Sequence, residues 1–258
     1  MLLAIDSGNT NTVFAVFDDD GSVLGEWRAT STTEHTADEH GVWLMQLLDL
    51  NGIDRSAIDS AIIATVVPTT LFDLKTLCRT YFNAEPLVVG EADVKLGIQV
   101  LLDQPKEVGA DRLVNAISAH QRYGGPLIIV DFGTATTFDV VDADGNYSGG
   151  IITPGVNLSQ EALHMAAAKL PRVAIVRPER VIGKGTVDAM QSGIYWGYLS
   201  MIEGVVERIA TEFGAPMKVI ATGGLATLFA DATDDIDCAD GELTLRGLYA
   251  IYQLNKPS

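Results

Sequence analysis

Basic residues are scarce. The chain carries 17 Lys and Arg against 34 Asp and Glu, a formal net charge of −17 over 258 residues. A basic footprint for nucleic acid is missing, and an anionic membrane would repel such a surface. Cysteine is nearly absent: Cys78 and Cys238 make neither a disulfide framework nor a metal-ligand spacing, and read as inert packing residues. Long hydrophobic runs are missing too, the longest being strand-sized and far short of a membrane span. No basic, cleavable leader precedes the first apolar run, so a cytoplasmic location is expected. What remains, 47% hydrophobic and 20% charged residues, is the composition of a globular enzyme with room for two modest domains.

One stretch near the start organises the rest. An apolar run, Leu3-Ala4-Ile5, ends in Asp6; a small polar turn follows, Ser7-Gly8-Asn9-Thr10-Asn11-Thr12; a second apolar run, Val13 to Phe17, stops at Asp18-Asp19-Asp20-Gly21. The pattern predicts strand, tight turn, strand. Gly8 lets the backbone approach a ligand, and successive N–H groups in such a turn can cradle an anion. Asp6 is placed to hold a hydrated cation. The residues fit a nucleoside triphosphate with its metal; an ordinary hairpin, with Asp and Asn supplying turn geometry, fits them as well.

A second copy favours the ligand. Leu127-Ile128-Ile129-Val130-Asp131-Phe132-Gly133-Thr134-Ala135-Thr136-Thr137 repeats the scheme, and its second strand also closes on an acidic turn with glycine, Asp142-Ala143-Asp144-Gly145. Two copies are too few for a solenoid and predict two similar domains, 1–123 and 124–258, with a ligand cleft between them.

Between and beyond the hairpins, strands alternate with helices, which predicts α/β domains with mixed sheets. Helices are expected over 37–50, 68–82 (Pro68 in the first turn), 110–123, 156–169, 187–213 (capped by Thr186) and 241–253. Asp111 suits the first turn of its helix as a cap, or serves in the cleft as a general base with Arg112 beside it to grip an anion. His35 and His40 lack a placeable third ligand and read as a solvated face. Gly183-Lys184-Gly185-Thr186 lacks the upstream glycine of a Walker loop and is rejected as one. Strand–Thr222-Gly223-Gly224–helix offers free amides to a phosphate or an adenosine, or is a plain tight turn.

Taken in order, Asp-x-Gly-Asn-Thr at 6–10, Gly-Ala-Asp-Arg at 109–112, Asp-Phe-Gly-Thr-Ala-Thr-Thr at 131–137, Gly-Gly-x-Ile-x-Pro-Gly at 149–155 and Thr-Gly-Gly at 222–224 resemble the type III pantothenate kinases, of the acetate kinase–sugar kinase–Hsp70–actin superfamily. The resemblance implies duplicated ribonuclease-H-like domains with ATP between them, and phosphorylation of pantothenate at its primary hydroxyl, the first step of coenzyme A biosynthesis. It implies ATP phosphates on Asp6, Ser7, Gly8, Asn9, Thr10, Asn11, Thr12 and Val13, with Asp6 near Mg²⁺, and Thr134 also touching ATP. It implies pantothenate on Gly109, Ala110, Asp111, Arg112 and Thr186, with Asp111 as the base, and K⁺ or NH₄⁺ at Asp131. It implies a homodimer that completes the substrate pocket. Where family members commonly carry a tyrosine, seven residues before the first Gly of Gly-Ala-Asp-Arg, this chain has Leu102. A kinase for another small hydroxy or carboxylate metabolite, and a non-catalytic nucleotide-binding regulator, are the alternatives at this stage.

Overall fold

The computed structural model describes residues 1–32, 34–166 and 170–256. Its contacts divide the chain into two compact units. The first comprises Met1–Gln99, Asp103–Ser118 and the C-terminal segment from Leu243; the second comprises Val100–Leu102 and Ala119–Glu242.

The first unit holds a sheet of β1 (Leu2–Ser7), β2 (Asn11–Phe17), β3 (Val23–Thr30), β4 (Ser60–Thr65) and β5 (Pro86–Val88), in the order β3-β2-β1-β4-β5. β1 runs antiparallel to β2 and parallel to β4. Its side chains alternate between two apolar layers, as a strand buried on both faces must. Leu3 and Ile5 pack with Leu44, Leu48, Leu74 and Leu77 of α1 (Ala37–Leu50) and α2 (Leu71–Phe82). Leu2 and Ala4 pack with Val114 and Ile117 of α3 (Ala110–Tyr123) and with Leu245, Leu248 and Ile251 at the C-terminus. α1 starts on a capping box in which Thr36 Oγ1 accepts from Glu39 N and Glu39 Oε2 accepts from Thr36 N.

The second unit repeats the plan. β6 (Leu127–Phe132), β7 (Ala135–Val141), β8 (Tyr147–Pro154), β9 (Lys218–Gly223) and β10 (Cys238–Ala239) form a sheet in the order β10-β9-β6-β7-β8. One face is covered by α5 (Thr186–Phe213) through Met190, Ile194, Leu199 and Ile202; α4 (Val156–Ala166) and the short α6 (Ala226–Ala230) complete the helices of this unit among the described residues. The repeat extends to detail. The β2–β3 register shifts between Val16 and Phe17, and the β7–β8 register shifts between Val140 and Val141. Counted from the residue opposite the strand-end aspartate (Val13 in one sheet, Thr137 in the other), the two irregularities fall at the same station.

Several sequence expectations change. The C-terminal helix α7 (Leu243–Asn255) clusters with the first unit, not with the segment 124–242, because its apolar stripe covers the β1/β4 face that α1 and α2 leave open. The helix expected from Pro68 begins as a 3-10 turn, Pro68–Thr70, and becomes α-helical at Leu71. Gly185, not Thr186, caps α5; Thr186 is its first helical residue. The expected continuation of α4 through 167–169 lies outside the described residues.

Candidate active site

In the first unit, β1 delivers Asp6 to the rim of the sheet beside the turn. The turn closes with Gly8 N donating to Asn11 O at 3.0 Å. Asn9, Thr10 and Asn11 are exposed, Ser7 and Thr12 are buried, and Val13, the third residue of β2, stands opposite Asp6. In the second unit the corresponding turn is one residue shorter. Gly133 N donates to Ala135 O at 3.0 Å, and Thr134 is exposed at the tip. The longer first turn thus presents one more peptide group for the same strand geometry.

α3 brings a second carboxylate into the first unit. Asp111 lies in its first turn, with Oδ1 accepting from Arg112 N at 2.8 Å. A Cβ at position 109 would stand 2.6 Å from Asp111 Oδ1 and 3.3 Å from Val66 Cγ1, so glycine there clears the place the carboxylate occupies. Ala110 is buried, Arg112 half-buried.

The two acids sense each other. Burial, and next the charge of Asp111, push the Asp6 carboxyl from its ordinary 3.8 up to about 7, with Arg28 pulling the other way. Arg28 stands opposite Val13, which stands opposite Asp6, so the three share a line across the sheet. Burial also holds the Asp111 carboxyl above the usual carboxylate range, opposed by the backbone N–H and the guanidinium of Arg112. A buried carboxylate short of positive charge fits a divalent cation. Among the described residues no cluster of three His, Cys, Asp or Glu exists, so such an ion would complete its shell with water and phosphate oxygens, as Mg²⁺ does.

In the second unit Asp131 occupies the station of Asp6, opposite Thr137 in β7 and Thr222 in β9. A Cβ at position 223 would lie 2.6 Å from Asp131 Oδ1 and 2.7 Å from Phe132 O, and Gly223 has φ +86°. Asp131 Oδ1 and Phe132 O therefore pack directly against Gly223, a close approach that a side chain at 223 would prevent. Thr186 is exposed in the first turn of α5. Leu102 is half-buried in the second unit, with Cδ2 3.5 Å from a Cβ at Gly149. The Thr222-Gly223-Gly224 junction feeds α6, only five residues long, and Gly224 N donates to Phe132 O at 3.2 Å.

Arg28, Ser31 and Thr70 escape the sequence reading. Arg28 is one charge on an exposed strand, Ser31 lies in a polar stretch that reads as a loop, and Thr70 falls in the first turn of the helix expected over 68–82, where nothing marks its hydroxyl.

A family model described as type III pantothenate kinase matches residues 2–208. A type III pantothenate kinase of Paramagnetospirillum magneticum is 67% identical over 255 residues, covering 99% of this chain and 98% of its own length. That of Rhodospirillum rubrum is 66% identical over 257 residues, covering 100% of both. Among solved structures, the activator of the 2-hydroxyisocaproyl-CoA dehydratase from Clostridium difficile, with bound ADPNP, superposes with a TM-score of 0.56 at 12% identity, over 98% of this chain and 94% of that one. At that identity the likeness concerns the fold, two mixed sheets flanked by helices as in actin-like ATPases and sugar kinases.

Proposed function

The chain belongs to the type III pantothenate kinase family, and from that premise we propose which of its residues carry the reaction. The reaction itself is transfer of the γ-phosphoryl group of ATP to the primary hydroxyl of pantothenate, the first step of coenzyme A biosynthesis, with a divalent metal accompanying the nucleotide. Asp111 accepts the hydroxyl proton, and the observation that carries this role is its burial in the first turn of α3, which raises its proton affinity. A loose phosphoryl-transfer transition state asks little of a base, so Asp111 also orients the attacking oxygen.

Asp6 holds the divalent ion of Mg·ATP, which when bound neutralises charge on the phosphates. The turn from Ser7 to Val13 takes the phosphates, with Thr134 of the other hairpin also on the nucleotide. Gly109, Ala110, Arg112 and Thr186 take pantothenate, Arg112 meeting an anionic group. K⁺ or NH₄⁺ is held at Asp131, which takes in the second sheet the station that Asp6 takes in the first; in a chain of net charge −17 that cation supplies positive potential. Each compact unit is a ribonuclease-H-like domain, the first completed by α7. The enzyme is a cytoplasmic homodimer; a Cβ at Gly193 or Gly197 on α5 would meet nothing within 4 Å, which leaves that helix open to a second copy.

The test is ADP release with Mg·ATP and pantothenate, with K⁺ or Na⁺, for wild type and Asp111→Asn. Turnover that needs pantothenate and K⁺, and falls at least about a hundredfold in the variant while ADP still binds, supports the assignment. A near-normal kcat in Asp111→Asn removes the base from it.

A further inference from the structure

Four hydroxyls run in an unbroken line beneath the first hairpin turn. Ser31 Oγ lies 2.9 Å from Thr12 Oγ1, Thr12 Oγ1 3.3 Å from Ser7 Oγ, and Ser7 Oγ 3.3 Å from Thr70 Oγ1. The residues come from four segments: the end of β1, the start of β2, the loop after β3, and the 3-10 turn before α2. Ser7 and Thr12 are 1% and 3% exposed, so their hydroxyls must be satisfied inside the protein.

One assignment of direction satisfies the whole line, since each hydroxyl has one proton to give. Thr70 gives its proton to the carbonyl of Val67, at 2.9 Å. With that proton so placed, the assignment that gives every hydroxyl of the line a partner has Ser7 donating to Thr70, Thr12 to Ser7, and Ser31 to Thr12. The backbone is fastened at the same points: Ser31 N donates to Thr10 O at 2.9 Å, and Val66 N to Ser7 O at 3.2 Å. The second hairpin supplies a comparison within the same chain. Phe132 takes the place of Ser7, and Thr136, in the place of Thr12, is fully buried with its hydroxyl unpartnered. Among the described residues the line is built in the first unit and not at the second hairpin.

We propose that Ser31 and Thr70 are positioning residues for the nucleotide: they polarise and lock the Ser7–Thr12 pair, so that the first turn meets the phosphates with its backbone N–H groups and not with the hydroxyls of Ser7 or Thr12. In that assignment those two buried hydroxyls give their protons along the line and offer none to an oxyanion. The line fixes the spacing between the two ends of the turn and so the aim of the amides between them. The inference rests on the reading of this turn as the ATP-phosphate site.

The experiment compares steady-state kinetics of Ser31→Ala, Thr70→Val, Ser31→Thr and Asn9→Asp. Removing either end of the line raises KM for Mg·ATP about three- to tenfold, the equivalent of one net hydrogen bond, and leaves KM for pantothenate unchanged. Ser31→Thr keeps the hydroxyl and restores KM for Mg·ATP. A loss that spreads equally over both substrates, or that Ser31→Thr fails to repair, overturns the positioning role. Asn9→Asp places a negative charge at the exposed tip without touching the core and tests the underlying reading. If it raises KM for Mg·ATP while Ser31→Ala and Thr70→Val behave as wild type, the positioning role alone fails. If it leaves KM for Mg·ATP unchanged, the turn is not the phosphate site and both fall.

Discussion

The charge of Asp111 reaches Asp6. One acid ends a strand at the start of the chain, the other begins a helix more than a hundred residues later, and together with burial this coupling brings the Asp6 carboxyl to about 7. The proposed reaction uses both, one acid for the metal and one for the proton of the acceptor. Holding them within each other's field, without a metal, is unfavourable at neutral pH.

That tension is measurable as stability. The folded state binds the Asp6 proton more tightly than the unfolded chain, so this contribution is full below the unfolded value of 3.8 and is lost as pH rises towards 7. Asp6→Asn removes the penalty. In metal-free buffer at pH 8 the variant is expected to melt several degrees above wild type, with the difference vanishing near pH 4. Three units correspond to at most about 4 kcal/mol, and the partial exposure of Asp6 reduces this. A wild-type melting temperature equal to that of the variant at pH 8 would refute the raised proton affinity of Asp6.

Gly109→Ala probes the other acid. The added methyl would come to 2.6 Å from Asp111 Oδ1, while the backbone at 109 needs no left-handed conformation. The carboxylate must move. Expected is a roughly ten- to hundredfold fall in kcat, as for a displaced catalytic group, with little change in melting temperature. Unchanged kcat would show that the place of Asp111 is not critical.

His40 makes the first unit acid-sensitive. It is buried against the Phe14 ring, at a centroid distance of 5.4 Å, and faces His35, Asp73 and Glu39. Burial and His35 lower its proton affinity, with Asp73 and Glu39 opposing. As pH falls through about 6.5 the unfolded chain takes up the proton first, and stability drops. His40→Gln is expected to flatten the fall in melting temperature between pH 7.5 and 5.5; a slope identical to wild type would assign it to other groups.

Tyr147→Phe tests a fully buried carboxylate in the second sheet. The Tyr147 hydroxyl donates to Asp139 Oδ1 at 2.7 Å and Thr137 Oγ1 to Oδ2 at 3.0 Å, with Asp139 and Tyr147 both inaccessible to solvent. Loss of that donor is expected to cost about 1–3 kcal/mol in a denaturant midpoint with unchanged slope. A cost near zero would mean that other partners take over the carboxylate.

Much of this was legible in the residues. Both hairpins follow from apolar runs interrupted by small polar turns, and their likeness announced the duplicated sheet. The shorter second turn was there to be counted once Asp6 and Asp131 were aligned. The coupling of Asp6 to Asp111 was not legible, because periodicity places an acid on a helix without saying which strand the helix crosses. Nor was the destination of α7: Leu245, Leu248 and Ile251 declare an apolar stripe, but either sheet could have received it. Ser31 and Thr70 were hidden for a different reason. A serine in a polar loop looks the same whether its hydroxyl faces water or closes a line of hydrogen bonds.

The return of α7 to the first unit also sets an order of events during synthesis. Leu2, Ala4, Ile62 and Ala64 wait for Leu245, Leu248 and Ile251, which leave the ribosome only after the whole second unit has been made. The first sheet emerges first and finishes last. Until then the part of its apolar face that α3 leaves uncovered stays open to the cell, where chaperones, or another nascent chain with the same face, can find it.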